Sequence, residues 1–247
     1  MRLCNFGSQE WIGVLTHLDI DLTYKCDLRC FNCCRHVGKG PALSLPLDRV
    51  KELIAGSERL GWVWQRWNFG GGEPTMYEPW DELWELLPNY HANHPEVEIW
   101  VYSNGHSAFA QGRLAGLPVW VRQQVSVKTP EVVERFTPMN VAPCDLPGFD
   151  PDNITPCTLT FQCGMALSPG GFYPCSPSGG IANARGVLGV RHLEQVTLET
   201  LTPFYRLCGL CGMYVAPSPR SRVSLRYDGP RDAVSKSWRA NTCQVAM

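Results

Sequence analysis

The stretch Cys26-Asp-Leu-Arg-Cys30-Phe-Asn-Cys33 holds the residues best suited, by type and spacing, to do chemistry in this chain. Three thiolates in one loop can grip three irons of a cubane and leave the fourth iron open. Structural zinc takes four ligands, often from paired C-x-x-C knuckles, and here the fourth would have to come from Cys34 or His36. Spacing therefore favours a 4Fe–4S cluster on Cys26, Cys30 and Cys33, with Cys34 offering an alternative register for the last position. A second group lies far along the chain: Cys157, Cys163, Cys175 and the pair Cys208-Gly-Leu-Cys211. Cys4, Cys144 and Cys243 stand alone and read as small buried side chains or stray thiols.

Twelve cysteines occur in 247 residues, of which 44% are hydrophobic and 18% charged. The first residues lack the apolar stretch of a signal peptide, and no run approaches the ~18 apolar residues of a membrane span. The expectation is a soluble cytoplasmic protein with no membrane partner. In a reducing compartment clustered cysteines bind metal or do redox work more often than they form disulfides. A net charge of −1 provides no general field for polyanions, which weighs against nucleic acid. Arg220, Arg222, Arg226 and Arg231 could still form a local basic strip.

The elements that must position these residues alternate. His17–Thr23, Trp64–Phe69, Val97–Ser103 and Val119–Lys128 read as strands. Helices are expected from Pro46, with Val50, Leu53 and Ile54 on one face, and around Trp80, Leu83, Trp84 and Leu87, whose spacing marks a core stripe. Such alternation implies parallel β/α units. A closed eight-unit barrel typically needs ~250 residues, yet only about four units are used up by Lys128. The expected fold is α/β: a partial, open (β/α) barrel over residues 1–145. A small cysteine-rich appendage follows over 146–247. The shift to Pro, Gly and Cys after about Val141 suggests a region without a helical or sheet core of its own, organised by metal.

Cys-x-x-x-Cys-x-x-Cys after the first strand of a β/α series resembles the signature of the radical S-adenosylmethionine superfamily. Gly70-Gly71-Gly72-Glu73-Pro74 after the second strand and Ser103-Asn104-Gly105 closing the third resemble that family's further marks, in the same order. The resemblance implies a partial barrel of the radical S-adenosylmethionine type, with a catalytic 4Fe–4S cluster on Cys26, Cys30 and Cys33. It further implies S-adenosylmethionine bound near Phe31, Gly71, Gly72, Glu73, Pro74, Ser103, Asn104 and Ser126. In the family the glycine loop receives the cofactor's amino group, and a missing Cβ suits such close approach. One departure is Asn32, where an aromatic usually precedes the third cysteine; Phe31 stands one place earlier. The implied chemistry is reductive cleavage of the cofactor to a 5′-deoxyadenosyl radical, with the electron coming from a flavodoxin- or ferredoxin-type donor.

The later cysteines resemble the auxiliary-cluster region known as SPASM, in its shortened twitch form. That resemblance implies a second 4Fe–4S cluster on Cys157, Cys175, Cys208 and Cys211. Cys163 is an alternative to Cys157, and a zinc ribbon is the competing use of the same residues. Strand parity sets Leu18, Ile20 and Leu22 against His17, Asp19, Asp21 and Thr23. It likewise sets Val119, Val121, Val125 and Val127 against Arg122, Gln124, Ser126 and Lys128. The polar faces are expected to line an open cavity, making Asp19, Asp21, Arg122, Gln124 and Lys128 candidate substrate contacts. His36, His91, His94, His106 and His192 read as surface or loop residues.

The favoured function is hydrogen abstraction from a small polar substrate, with a dehydrogenation completed through the auxiliary cluster. Alternatives are maturation of a ribosomally made peptide and modification of a nucleotide or nucleic acid. About sixteen residues precede the first strand, short for a separate peptide-recognition domain. A non-catalytic iron–sulfur protein would leave Gly71-Gly72-Glu73-Pro74 without a role.

Overall fold

The computed structural model describes residues 16–154, 157–215, 225 and 227–240. Four strands, β1 (His17–Thr23), β2 (Arg66–Gly71), β3 (Glu98–Ser103) and β4 (Arg122–Val125), run parallel and pair in chain order. The crossovers between them carry helices α1 (Leu47–Leu60), α2 (Trp80–Asn93) and α3 (Ala108–Ala115). Leu18, Ile20 and Leu22 are fully buried and pack with Val50, Leu53, Trp67, Phe69, Leu83 and Leu87 as one core between sheet and helices. This is the open α/β arrangement that the alternation implied.

The cysteine-rich part is less separate than its composition suggested. Helix α5 (Thr158–Cys163) leads into strand β5 (Met165–Ser168), which pairs parallel to β1 on its free side. Strand β6 (Gly171–Tyr173) then returns antiparallel, giving a six-stranded open sheet of order β4-β3-β2-β1-β5-β6. The expectation that this region builds no core is corrected too. Helix α6 (Ser176–Arg185) and a 3₁₀ stretch, Thr202–Leu210, bury Tyr173, Ile181, Ala182, Phe204, Leu207 and Leu210 against Met139 and Ala142. Short apolar runs that pattern weakly alone become core once β1 offers an edge to pair with.

The fourth strand departs from expectation. β4 has four residues, all exposed, and helix α4 (Pro130–Glu134), the next element, buries none of its residues. Of the supposed apolar face only Val121 is buried, while Val119, Val125 and Val127 are exposed. An edge strand without a covering helix has nothing to bury that face against.

No helix among the described residues is long and apolar enough to cross a membrane. Arg220, Arg222 and Arg226, like Cys4 and Cys243, lie outside the described residues. Arg231 donates through Nη1 to the Glu134 carbonyl at 2.6 Å. His36 is buried rather than exposed, its ring stacked on Trp238 at 4.6 Å.

Candidate active site

Above the C-terminal ends of the parallel strands lies a cavity of about 530 Å³. Cys26, Cys30, Cys33 and Cys34 line it from the loop after β1, Gly70, Gly71 and Gly72 from the end of β2, and Ser103 and Asn104 from the end of β3. Gln124, Ser126 and Lys128 close it from the fourth strand and the residues after it. Three loops distant in sequence thus face one space, because parallel strands bring all their C-terminal loops to one edge of the sheet.

The glycine loop is bonded tightly to the cysteine loop. Gly72 N donates to Thr23 O at 2.7 Å and Glu73 N to Lys25 O at 2.8 Å. A Cβ on Gly71 would stand 2.4 Å from Thr23 O, and one on Gly72 would stand 2.2 Å from Lys25 O. Gly71 also has φ +113°, which side-chain-bearing residues rarely adopt. These glycines are needed for the close packing of the two loop backbones.

Glu73 differs from its expected place. Its carboxylate is fully buried and accepts four bonds: from Thr75 N (3.1 Å), Thr75 Oγ1 (2.8 Å), Ser103 Oγ (2.8 Å) and Asn104 N (2.8 Å). It is not among the residues that line the cavity and it ties the second loop to the third, so it positions both. Pro74 is buried behind it, opening a short 3₁₀ turn. Phe31 is also absent from the cavity wall; its ring is exposed, and its carbonyl accepts from Asn140 Nδ2 at 2.6 Å. Glu73→Ala should lower the stability of the metal-free protein by about 3 kcal/mol, since its donors lose a charged acceptor. Scanning calorimetry would register this as a fall in Tm; an unchanged Tm would mean the loops are held by other contacts.

The interior acids are committed as well. Asp19 Oδ2 accepts from Arg35 Nη2 at 2.9 Å and Ser176 Oγ at 2.5 Å, and Asp19 Oδ1 accepts from Asn68 Nδ2 at 2.7 Å. Asp21 accepts from Arg35 Nε (3.1 Å), Tyr24 OH (3.0 Å) and Ser168 Oγ (3.1 Å). Burial raises the Asp21 carboxyl above the usual carboxylate range, and the Arg35 guanidinium opposes that shift. Parity did turn both acids inward, but they serve as counter-ions for a half-buried arginine rather than as free substrate contacts. Asp19 reaches the cavity wall; Asp21 does not. Arg122 also leaves the candidate set: it pairs with Glu98 at 3.0 Å and stacks on Trp100 at the sheet edge. Gln124 and Lys128 do line the cavity.

Among the wall residues that sequence reasoning missed, three carry polar groups: Arg35, Asn68 and Tyr102. Asn68 shares the inward parity of Arg66 and Gly70 on β2, so the alternation already used for β1 could have found it. Its Oδ1 is buried and has no partner among the described residues. Nothing in the spacing pointed to Arg35.

Burial pushes the Cys26 thiol up to about 11 and Cys33 to about 12, and raises Cys30 as well. Among the described residues no three His, Cys, Asp or Glu side chains stand ready at metal-ligand spacing. The donor set still fits a 4Fe–4S cluster, because three soft thiols from one loop face one cavity and each reorients about a single χ1 bond.

The later cysteines also converge. Cys157 caps the N-terminus of α5, Cys175 caps that of α6, and Cys208 and Cys211 lie at the end of the 3₁₀ stretch. All four line one small cavity of about 10 Å³, together with Ser178, Ile181 and Leu207. Burial raises the Cys175 and Cys208 thiols well above the usual range, and repulsion from the neighbouring cysteines adds to it. Cys163 instead lines the large cavity at the other end of α5. This second donor set suits a soft metal centre, and loading it would release protons.

No family model matches the chain. A crystal structure of BtrN in complex with AdoMet and 2-DOIA aligns over 88% of this chain and 97% of that one, with 14% identity and a TM-score of 0.48. Among curated proteins, the mycofactocin maturase MftC of Mycolicibacterium smegmatis is 35% identical over 79 residues. A protein of Archaeoglobus fulgidus named "Probable GTP 3′,8-cyclase" is 32% identical over 97 residues. These stretches cover 32% and 39% of this chain but only 19% and 30% of the relatives' own lengths. Radical S-adenosylmethionine relatives imply a 4Fe–4S cluster and S-adenosylmethionine as cofactors. The chain thus spans less than a third of the length of these curated relatives, and its three motif-bearing loops make it similar to enzymes of the radical S-adenosylmethionine type.

Proposed function

We propose that the chain cleaves S-adenosylmethionine reductively in the large cavity and takes a hydrogen atom from a small polar substrate held beside it. The observation that carries this is the meeting of Cys26, Cys30, Cys33, Gly70–Gly72 and Ser103–Asn104 around one space, of a volume usual for small-ligand sites. When bound, cluster and cofactor supply a low-potential electron and the 5′-deoxyadenosyl radical. The chain's own residues bind, orient and shield. Cys26, Cys30 and Cys33 would hold the cluster. The glycine-loop backbone, Ser103, Asn104 and Ser126 border the room for the cofactor.

The cavity floor supports a substrate rich in hydrogen-bond donors. Asn68 Nδ2 is committed to Asp19, whose carboxylate only accepts, so Oδ1 is left as an acceptor without a partner. A substrate hydroxyl or amine would satisfy it. Cys157, Cys175, Cys208 and Cys211 would hold a second cluster that accepts the second electron of a dehydrogenation. An external flavodoxin- or ferredoxin-type donor would supply the first electron, consistent with a cytoplasmic setting.

Anaerobically reconstituted protein given dithionite and S-adenosylmethionine should form 5′-deoxyadenosine, read by chromatography. Iron-loaded protein that forms none would sink the proposal. A second reading, maturation of a peptide, takes its support from the name maturase on the MftC relative. Deuterium transfer into deoxyadenosine from a labelled polyol or amine, against a labelled peptide, separates the two.

A further inference from the structure

The first turn of α6 faces two sites at once. Ser176 Oγ donates to Asp19 on the floor of the large cavity, whereas Ser178, two residues on, lines the four-cysteine cavity. Ser178 is 4% exposed, and its hydroxyl has no hydrogen-bond partner among the described residues. A serine inside a helix ordinarily returns its hydroxyl to a carbonyl one turn earlier. Ser178 is only the third residue of α6, so no helical turn precedes it to accept that bond. Its backbone N–H is turned toward the Cys175 sulfur, which lowers that thiol against the larger effect of burial. The cavity that Ser178 lines is also lined by Cys157, Cys175, Cys208 and Cys211 and by apolar Ile181 and Leu207. A neutral thiol is a weak acceptor; a metal-bound thiolate or a bridging sulfide is a strong one. The orphaned hydroxyl is therefore matched to the loaded state of the site.

We propose that Ser178 sets the reduction potential of the auxiliary centre by donating its hydroxyl to one of that centre's sulfurs. The proposal rests on the reading of those four cysteines as a redox cluster. Hydrogen bonds to cluster sulfurs stabilise the more negative, reduced state and raise the potential. The N-terminus of α6, capped by Cys175 and ten residues long, acts in the same direction. In the reduction itself one electron passes from donor to cluster, no bond to the protein breaks, and the serine proton stays on its oxygen.

The test uses the full chain carrying Cys26→Ala, Cys30→Ala and Cys33→Ala, reconstituted with iron and sulfide so that only the auxiliary centre is present. Dithionite titration followed by EPR gives its midpoint. At equal iron content, Ser178→Ala should lower the reduced-to-oxidised ratio at a fixed potential roughly tenfold, a shift of about 59 mV for one electron. Ser178→Thr, which keeps a hydroxyl, should restore the parent midpoint, while Ser178→Val should not. An iron-loaded Ser178→Ala protein with the parent midpoint would overturn the role of Ser178 and leave the auxiliary cluster standing. Loss of iron from Ser178→Ala with normal loading of Ser178→Thr would make the residue a structural clamp, also overturning it. A parent protein with zinc or no metal at these cysteines would overturn both ideas, the failure then lying with the site.

Discussion

Replacing Cys26, Cys30 and Cys33 together by Ala is expected to reduce 5′-deoxyadenosine formation to background and leave the chain folded. The three thiols lie in a loop above the strand ends and none belongs to the apolar core between sheet and helices. That loop is anchored by other means. Arg35 pairs with Asp19 and Asp21, and Lys25 O accepts from Glu73 N. Iron analysis should fall by about four per chain, as one cubane is lost. Tm of the metal-free variant should remain near that of the metal-free parent. Deoxyadenosine output equal to the parent's would remove the first cluster from the mechanism.

Replacing Cys208 and Cys211 by Ala should separate cofactor cleavage from product formation. The first loop and its cavity are complete without them, so part of the deoxyadenosine yield should persist, now without matching product. Stability should respond in two parts. In metal-free protein the loss should be only about 1–2 kcal/mol, typical of a buried truncation. Cys211 does contribute to the second apolar cluster, but Leu207, Leu210 and Phe204 remain there. In loaded protein the loss should be larger, because metal binding adds to folding free energy. Mössbauer spectroscopy with metal analysis on the parent decides the nature of the site. One cubane plus one tetrahedral zinc per chain would make it a structural clip.

Strand alternation and helical stripes were legible because they are local. Leu18, Ile20 and Leu22 are buried as their spacing implied, and Trp80, Leu83 and Leu87 face the core of α2. Strand β5 was not legible, since Met165-Ala-Leu-Ser168 is too short to pattern and owes its extended form to the free side of β1. β4 failed in the opposite sense. Val119, Val121, Val125 and Val127 alternate properly, but of the four only Val121 reaches the core.

The sequence by itself determined the chemistry available: three thiols in one loop, a glycine loop and a Ser-Asn-Gly turn, each at a strand end, where parallel pairing must gather them. Tertiary structure alone decided which side chains remain free to act. Parity turned Asp19 and Asp21 inward, but whether an inward acid is open or paired depends on Arg35, sixteen and fourteen residues away. Glu73 looked like a ligand contact until four donors, two from Thr75 in its own loop and two from Ser103 and Asn104, were seen to occupy it. Cys157 and Cys163 were equivalent on spacing, yet they sit at opposite ends of the six-residue helix α5. One end faces the four-cysteine cavity and the other faces the large one. Residue type and local period are carried by neighbours along the chain, whereas the occupancy of a donor or acceptor is settled by partners across the fold, which only packing brings together.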